Sequence, residues 1–264
     1  MQHALRRLIR TPAFALTALL TLGLAIGANA LIFSVVNGVL LKPLPFADPD
    51  RLVGVWHTAP ALFEGAVNQS PATYFTYREA GVFDDIGLWD NTQVTVTGRG
   101  DPERVDALRV TDGTLPLLGV RPVQGRTFSQ EDDAPGSADT VMVSHAYWQR
   151  LFGGDATAIG QSLVVDGKPR QIIGVLPEGF RFLRYNPAVV LPFRFNRAEV
   201  FVGNFSYQGV ARLKPGGSIA QANADIARLI PGIVDHFPLP PGFTRQMFDE
   251  VHLGPLTRPL AVDV

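Results

Sequence analysis

A run of 29 residues without a charged side chain, from Ala13 to Leu41, dominates the N-terminal part of the sequence. About 20 helical residues cross a hydrocarbon core of roughly 30 Å, so this run predicts a transmembrane helix long enough to tilt or to project beyond the lipid. Arg6, Arg7 and Arg10 precede the run, and the positive-inside tendency places that end in the cytoplasm. The chain after Lys42 is then expected on the extracytoplasmic side.

A cleavable signal peptide is the competing interpretation of the same segment. Basic residues, an apolar stretch and the small-residue pattern Ala28-Asn29-Ala30 are all present. The apolar character nevertheless continues from Leu31 to Leu41, which a cleaved peptide does not require. The pattern therefore favours a retained anchor.

Four positions in the run are candidates for packing against another helix. Gly23 and Gly27 form a small-xxx-small pair that allows close approach of a second helix, although glycine is also common in membrane helices for other reasons. Asn29 and Asn37 are amides that find no water in lipid. Together they predict partner helices, in a homo- or hetero-oligomer.

Charge and cysteine content exclude several classes of function for the rest of the chain. No acidic side chain occurs before Asp48, so the remaining residues carry an excess of acid, which argues against a nucleic-acid partner. The chain has no Cys, which excludes disulfides, thiolate nucleophiles and Cys-based zinc sites.

The sequence divides into a cytoplasmic N-terminus (1–12), a transmembrane helix (13–41), a Pro-rich linker (42–50) and an extracytoplasmic domain (51–264). Helical and strand-like patterns alternate irregularly in the domain, which predicts a mixed α+β fold of one or two subdomains.

The element predictions rest on periodicity, caps and turns. Helices are expected over 71–80, 113–118, 145–152 and 218–236, the last opened by a Ser218/Gln221 capping box. Strands are expected over 52–56, 83–89, 92–97, 104–110, 141–144, 162–165, 170–175 and 246–253, with a hairpin turn at Asp166-Gly167.

No catalytic, cofactor or metal residue is predicted. Gly167-Lys168 is followed by Pro169 and lacks the upstream glycine of a phosphate-binding loop, and the five His are not spaced as metal ligands. Ser144 is expected to cap the next helix rather than to act with His145 as a nucleophile. The acidic run 131–133 is expected to be a solvated loop rather than a calcium site.

The order of these segments resembles the permease subunits of ABC transporters in the MacB/FtsX class, over nearly the whole chain. The resemblance rests on short stretches taken together, namely Asn37-Gly38-Val39-Leu40-Leu41-Lys42-Pro43-Leu44-Pro45-Phe46, Pro49-Asp50-Arg51-Leu52-Val53, Ser70 to Gly81 with Phe83, Leu115 to Phe128, Val143 to Phe152, Gly153-Gly154-Asp155, Ile159-Gly160, Val165-Asp166-Gly167 and Ile173 to Phe180. It implies a MacB-like periplasmic core domain behind an N-terminal helix in the cell inner membrane.

The resemblance also implies partners and a role. The domain would be a component of an export or mechanotransmission permease and would relay motion from a cytoplasmic ABC ATPase subunit, so that the chain itself would not be an enzyme. Such permeases continue into FtsX-like membrane helices, whereas this sequence stops at Val264, which predicts a truncated product or a separately encoded remainder. A single-pass anchored binding or scaffold protein without transport activity is the alternative.

Overall fold

The computed structural model of the protein describes residues 12–39 and 44–263, which fall into two compact units, Met1–Leu44 and Pro45–Val264. The first unit contains helix α1 (Pro12–Val39). Eight large apolar side chains of α1 are at least 60% exposed, namely Leu16, Leu19, Leu20, Leu22, Leu24, Ile26, Leu31 and Phe33. Within the described residues, no helix combines the length and the apolarity expected of a membrane span. Several parts of the predicted segments lie outside the described residues. They include residues 1–11 of the cytoplasmic N-terminus, 40–41 of the transmembrane helix and 42–43 of the linker.

The second unit is a domain of mixed α+β class, as the sequence predicts. Its strands are β1 (Leu52–Ala59), β2 (Phe63–Val67), β3 (Asp85–Thr97), β4 (Glu103–Val110), β5 (Gln124–Gly125), β6 (Thr140–Val143), β7 (Ser162–Val165), β8 (Lys168–Val175), β9 (Val189–Pro192), β10 (Gln208–Arg212) and β11 (Gly254–Pro259). Its helices are α2 (Pro71–Glu79), α3 (Thr114–Leu117), α4 (His145–Phe152), α5 (Ile219–Leu229), α6 (Ile233–His236) and α7 (Arg245–Glu250). Short 3₁₀ turns include Pro49–Arg51 before β1 and Leu260–Asp263 after β11.

Local capping and turn signals are confirmed. The side chain of Ser218 accepts a hydrogen bond from the Gln221 amide at 3.2 Å, and the Gln221 side chain accepts one from the Ser218 amide at 3.1 Å. The β7–β8 hairpin turns at Asp166 and Gly167, which both have positive φ, of 49° and 74°. Two successive positive φ values are the signature of the tight hairpin turn that the Asp-Gly pair predicts.

Four neighbouring strands, in the order β11-β1-β10-β3, form what we call the sheet lobe together with α2, α5, α6 and α7. The predicted apolar face of the Ser218 helix packs into this core, where Ala222, Ile226, Ile230 and Ile233 are buried. Edge strand β11 is protected from further pairing, because Pro255 and Pro259 cannot donate and the Thr257 amide donates to the Asn223 side chain at 3.0 Å.

Six strands close into a ring, which we call the barrel lobe. The pairings run β3–β4–β9–β6–β8–β7 and return from β7 to β3 through Val96 and Thr97. Alternate residues fill the interior, including Val94, Val96, Val105, Val141, Val143, Leu163, Val165, Ile172, Val175 and Val189. Since β3 is 13 residues long and belongs to both lobes, one continuous strand connects them.

Three sequence predictions of elements are wrong. The segment 246–253 is not a strand, because the Thr244 side chain caps α7 by accepting from the Met247 amide, and the strand begins only at Gly254. The predicted strands 83–89 and 92–97 are one strand. The helix predicted over 218–236 is interrupted by a 3₁₀ turn at Ile230–Gly232, where Pro231 cannot donate a helical hydrogen bond.

A buried polar network lies between β1 and α2. His57 has no exposed surface, and its Nε2 lies 2.7 Å from the Tyr77 hydroxyl. The side chain of Gln69 donates to the Val55 carbonyl at 2.9 Å and accepts from the Thr73 hydroxyl at 2.8 Å. Burial lowers the pKa of His57 to about 4 despite the hydrogen-bonding contact with the Asn68 carbonyl, because the charged imidazolium would lose its hydration.

Candidate functional site at the two ends of the domain

Ser144 and His145 do not form a catalytic pair. The Ser144 side chain accepts from the Tyr147 amide at 3.2 Å and caps α4, as predicted. The His145 ring lies 5.3 Å from the Trp148 ring in an edge contact. Across the described parts of the chain, no group of three His, Cys, Asp or Glu is placed to hold a metal ion.

The acidic run holds loops together by hydrogen bonds. Asp132 accepts from the Arg126 guanidinium at 3.0 Å and from the Ser129 amide at 2.8 Å. Burial alone would raise the pKa of Asp132, but these donors stabilise the carboxylate and lower the pKa to about 2. Asp133 accepts from the backbone amides of Arg194 and Asp112 at 2.7 and 3.1 Å. The run is therefore structural rather than only a solvated loop.

The residues that lead into the domain, Pro45–Arg51, form an N-terminal junction that is held by a buried arginine. Arg212, at the end of β10, is 9% exposed. Its guanidinium donates to the carbonyls of Leu117 at 2.9 Å and Ala47 at 2.8 Å, and more weakly to that of Asp48 at 3.3 Å. One cation thus connects the junction to β10 and α3.

A second arginine reinforces this junction from the opposite direction. Arg51 donates to the Leu213 carbonyl from Nε at 3.0 Å and from Nη2 at 2.6 Å, and the Leu213 amide donates back to the Arg51 carbonyl at 2.9 Å. The Nη2 of Arg51 also contacts the Asp84 carboxylate at 2.7 Å. Arg51, the last residue before β1, is therefore hydrogen-bonded to Leu213 through both its side chain and its backbone.

A glycine makes the close packing at the N-terminal junction possible. Gly119 has a φ of +75°, and a Cβ at this position would lie 2.8 Å from the Ala47 Cβ. Both the left-handed backbone and the contact exclude a larger residue. This gives a physical reason for the Leu-Gly-Val stretch that contributes to the family resemblance.

The last described segment, Leu260–Asp263, which we call the C-terminal junction, is held against β1. The Asp263 carboxylate accepts from the Trp56 indole at 2.9 Å and pairs with Arg258. The Arg258 guanidinium lies over the Trp56 ring, 5.1 Å from its centroid. Gly54 leaves room for this arrangement, because a Cβ there would overlap the Asp263 carboxylate.

Both junctions are therefore attached to β1. The N-terminal junction enters β1 at Leu52, which pairs with Arg212, and β11 runs antiparallel to β1 and delivers the C-terminal junction beside Val53. β1 is hydrogen-bonded to β10, and β10 in turn to β3. Because β3 extends into the barrel lobe, one continuous hydrogen-bonded path connects both junctions to both lobes.

No motif or spacing in the sequence marks the junction residues Arg212, Trp56, Arg258 and Asp263. The only local signal at the junctions is the Pro-Asp-Arg stretch before β1. The predicted helix-packing residues lie in the first unit, where a Cβ on Gly23 or Gly27 would meet nothing within 4 Å and Asn29 is exposed. The surroundings of the Asn37 side chain lie outside what the structure describes, so helix packing stays a prediction.

A family model described as the MacB-like periplasmic core domain matches residues 15–229. No curated protein sequence shows significant similarity to the chain.

Three solved structures share the fold. The extracellular domain of the noncanonic ABC-type transporter YknZ from Gram-positive bacteria has 16% identity and a TM-score of 0.52, covering 70% of this chain and 93% of that one. The periplasmic region of MacB from Actinobacillus actinomycetemcomitans has 10% identity and a TM-score of 0.55, covering 81% and 90%. A domain of a protein described as a permease from Porphyromonas gingivalis has 16% identity and a TM-score of 0.56, covering 82% and 92%.

Proposed function

Since the chain belongs to the family of MacB-like periplasmic core domains, we propose that it is a component of an ABC-type export or mechanotransmission permease. In this role the domain relays ATPase-driven motion to an exported substrate or to an extracytoplasmic partner. The observation that carries the proposal is the attachment of both junctions to β1. A force applied at either junction would reach the same hydrogen-bonded sheet through β1, as a relay requires.

The hydrogen bonds at the junctions suit a relay. Arg212 binds carbonyls from two separate segments, and Asp263 holds the last turn against Trp56. Hydrogen bonds from charged groups are stronger than neutral ones and are directional, so they resist shear between the segments that they join. The planar guanidinium also contacts several acceptors at once, which a lysine ammonium cannot do with the same geometry.

We propose that α1 anchors the domain in the plasma (inner) membrane as a single-pass helix, with the N-terminus in the cytoplasm and the domain in the periplasm. The support is the uncharged run from Ala13 to Leu41, which continues past the described end of α1, and the arginines that precede it. The exposed apolar side chains of α1 also need a nonaqueous cover, which membrane lipid and other helices provide.

The proposed partners are those that a relay requires. A cytoplasmic ABC ATPase subunit would hydrolyse ATP, and FtsX-like membrane helices would transmit its motion. Gly23 and Gly27, with Asn29 and Asn37, are the proposed contacts of α1 with such helices, in a homo- or hetero-oligomer. No nucleic acid and no cofactor is proposed.

Purification of the tagged full chain from the membranes of its own host tests this function. We expect an ATP-hydrolysing subunit and its activity to co-purify in mild detergent. A matched control lacking residues 12–39 should carry no ATPase activity, because it has lost the helix through which the complex assembles. Full chain that is free of any ATPase would contradict the proposal and favour a single-pass scaffold protein.

A further inference from the structure

A cleft of about 440 Å³ lies between α2 of the sheet lobe and the loops that follow β5 and β9. Its volume falls in the range of roughly 300–1,000 Å³ that is typical of ligand sites. No residue of either junction lines this cleft. A ligand in the cleft therefore does not require that the domain belongs to a transporter.

Aromatic side chains form the apolar part of the cleft. Phe75 and Phe195 line it and are only partly buried. Phe195 stacks on Phe193 with ring centroids 4.7 Å apart, and Tyr207 contacts both rings edge-on at 5.0 and 5.1 Å. These contacts hold Phe195 in place, so the cleft offers a preorganised aromatic surface.

Two arginines in the cleft are already matched by carboxylates. Arg78 binds Asp112 through two hydrogen bonds of 2.8 and 2.9 Å. Arg197 binds Glu79 through two hydrogen bonds of 2.6 and 2.8 Å. The Arg78 guanidinium also donates to the Tyr74 hydroxyl, and each arginine is matched by one carboxylate, so neither offers an unmatched charge to a ligand.

Asp133 is the third carboxylate of the cleft lining and differs from the other two. Its oxygens accept only backbone amides, those of Arg194 and Asp112, and the described residues include no cation within ion-pair distance of it. Burial raises the pKa of Asp133 to about 6, and the charge of Asp112 adds to this effect while Arg78 opposes it. The cleft therefore has one carboxylate more than it has cations.

We propose that this cleft binds a polypeptide partner that places a lysine or arginine side chain beside Asp133 and an apolar side chain on Phe75 and Phe195. The unmatched negative charge of Asp133 favours a cationic side chain in the partner. Aromatic residues and arginine are enriched in the centres of protein interfaces, and five of the twelve lining residues belong to these classes, which favours a polypeptide over a small molecule.

The expected binding depends on pH through Asp133. The charged groups around it are Arg78 and Glu79 on α2, Asp112 after β4, and Arg194 and Arg197 after β9. All of these side chains are held in ion pairs, whereas Asp133 accepts only backbone amides. Protonation of Asp133 below pH 6 removes the unmatched charge and should weaken the cation contact.

Peptide binding to the full chain in detergent micelles tests the proposal. The probes are N-acetyl-Phe-Lys-Phe-amide and the same peptide with norleucine in place of lysine, which keeps the length and removes the charge. We expect the lysine peptide to bind saturably and at least about tenfold more tightly at pH 7.5, which corresponds to roughly 1.4 kcal/mol. This preference should decrease at pH 5.

Three variants make the test specific. Asp133→Asn should abolish the preference for lysine, Phe195→Ala should weaken both peptides, and Asp101→Asn, an exposed carboxylate outside the cleft, should change neither. If Asp133→Asn fails to fold, two other measurements test the proposal. They are the affinities of the wild type for both peptides at pH 7.5 and pH 5, and those of the Phe195→Ala variant. Equal affinities for the two peptides, no saturable binding, or butylamine binding as tightly as the lysine peptide would overturn the proposal.

Discussion

Replacing Arg212 with alanine is expected to lower the free energy of unfolding by about 3 kcal/mol. The substitution leaves the carbonyls of Leu117 and Ala47 without their charged donor and opens a cavity at the N-terminal junction. Urea unfolding of the full chain in micelles, followed by tryptophan fluorescence, measures the change. All three tryptophans, Trp56, Trp89 and Trp148, belong to the domain, so the signal reports its unfolding.

Arg228→Ala provides the matched control for this measurement. The Arg228 side chain is 76% exposed and pairs only with Asp225 on the same helix. Exposed pairs of this kind contribute less than about 1 kcal/mol, so this variant should unfold close to the wild type. Equal stabilities of the two variants would show that Arg212 does not hold the N-terminal junction.

Replacing His57 with glutamine is expected to make the domain less sensitive to acid. The folded pKa of His57, about 4, lies below its unfolded value of 6.5, so the unfolded chain takes up the proton first as the pH falls. The stability that His57 contributes is therefore complete above pH 6.5 and is lost between pH 6.5 and 4. The loss should be on the order of 3 kcal/mol in the wild type and absent in the variant.

The comparison of wild type and variant is needed because Asp133 acts in the opposite direction. Its folded pKa of about 6 lies above the usual aspartate value of 3.8, so it favours the folded state increasingly as the pH falls from 6 to 3.8. Unfolding free energies measured at several pH values give the difference between the two proteins. His236→Gln, at an exposed position, is the control. Parallel curves for wild type and His57→Gln would contradict the account.

Elements that depend on nearby residues could be predicted from the sequence. The Ser218 capping box, the Ser144 cap and the Asp166-Gly167 turn each involve residues no more than three positions apart. Long-range pairing could not be predicted. Besides the nearby β2, β1 pairs with β10 and β11, at residues more than 150 positions away, and periodicity carries no information about which strands meet.

The candidate site was missed for the same reason. In the sequence Arg212 lies in the short stretch Val210-Ala211-Arg212-Leu213 beside Lys214, and an arginine is ordinarily solvent-exposed. Its burial depends on carbonyls of Ala47 and Leu117, which lie about a hundred residues or more away along the chain. The contact of Asp263 with Trp56 could not be predicted either, because the sequence favours a core position for that aromatic side chain.

Site-directed labelling tests the central claim, that a membrane anchor holds this domain outside the cytoplasm, most directly. The chain has no native Cys, so Gln2→Cys and Ala224→Cys, in an exposed position of α5, each give a single reactive site. A membrane-impermeant maleimide should label Ala224→Cys in intact spheroplasts and should label Gln2→Cys only after the membrane is permeabilised. Labelling of Gln2→Cys but not of Ala224→Cys in intact spheroplasts, or recovery of Ala224→Cys in the soluble fraction, would contradict it.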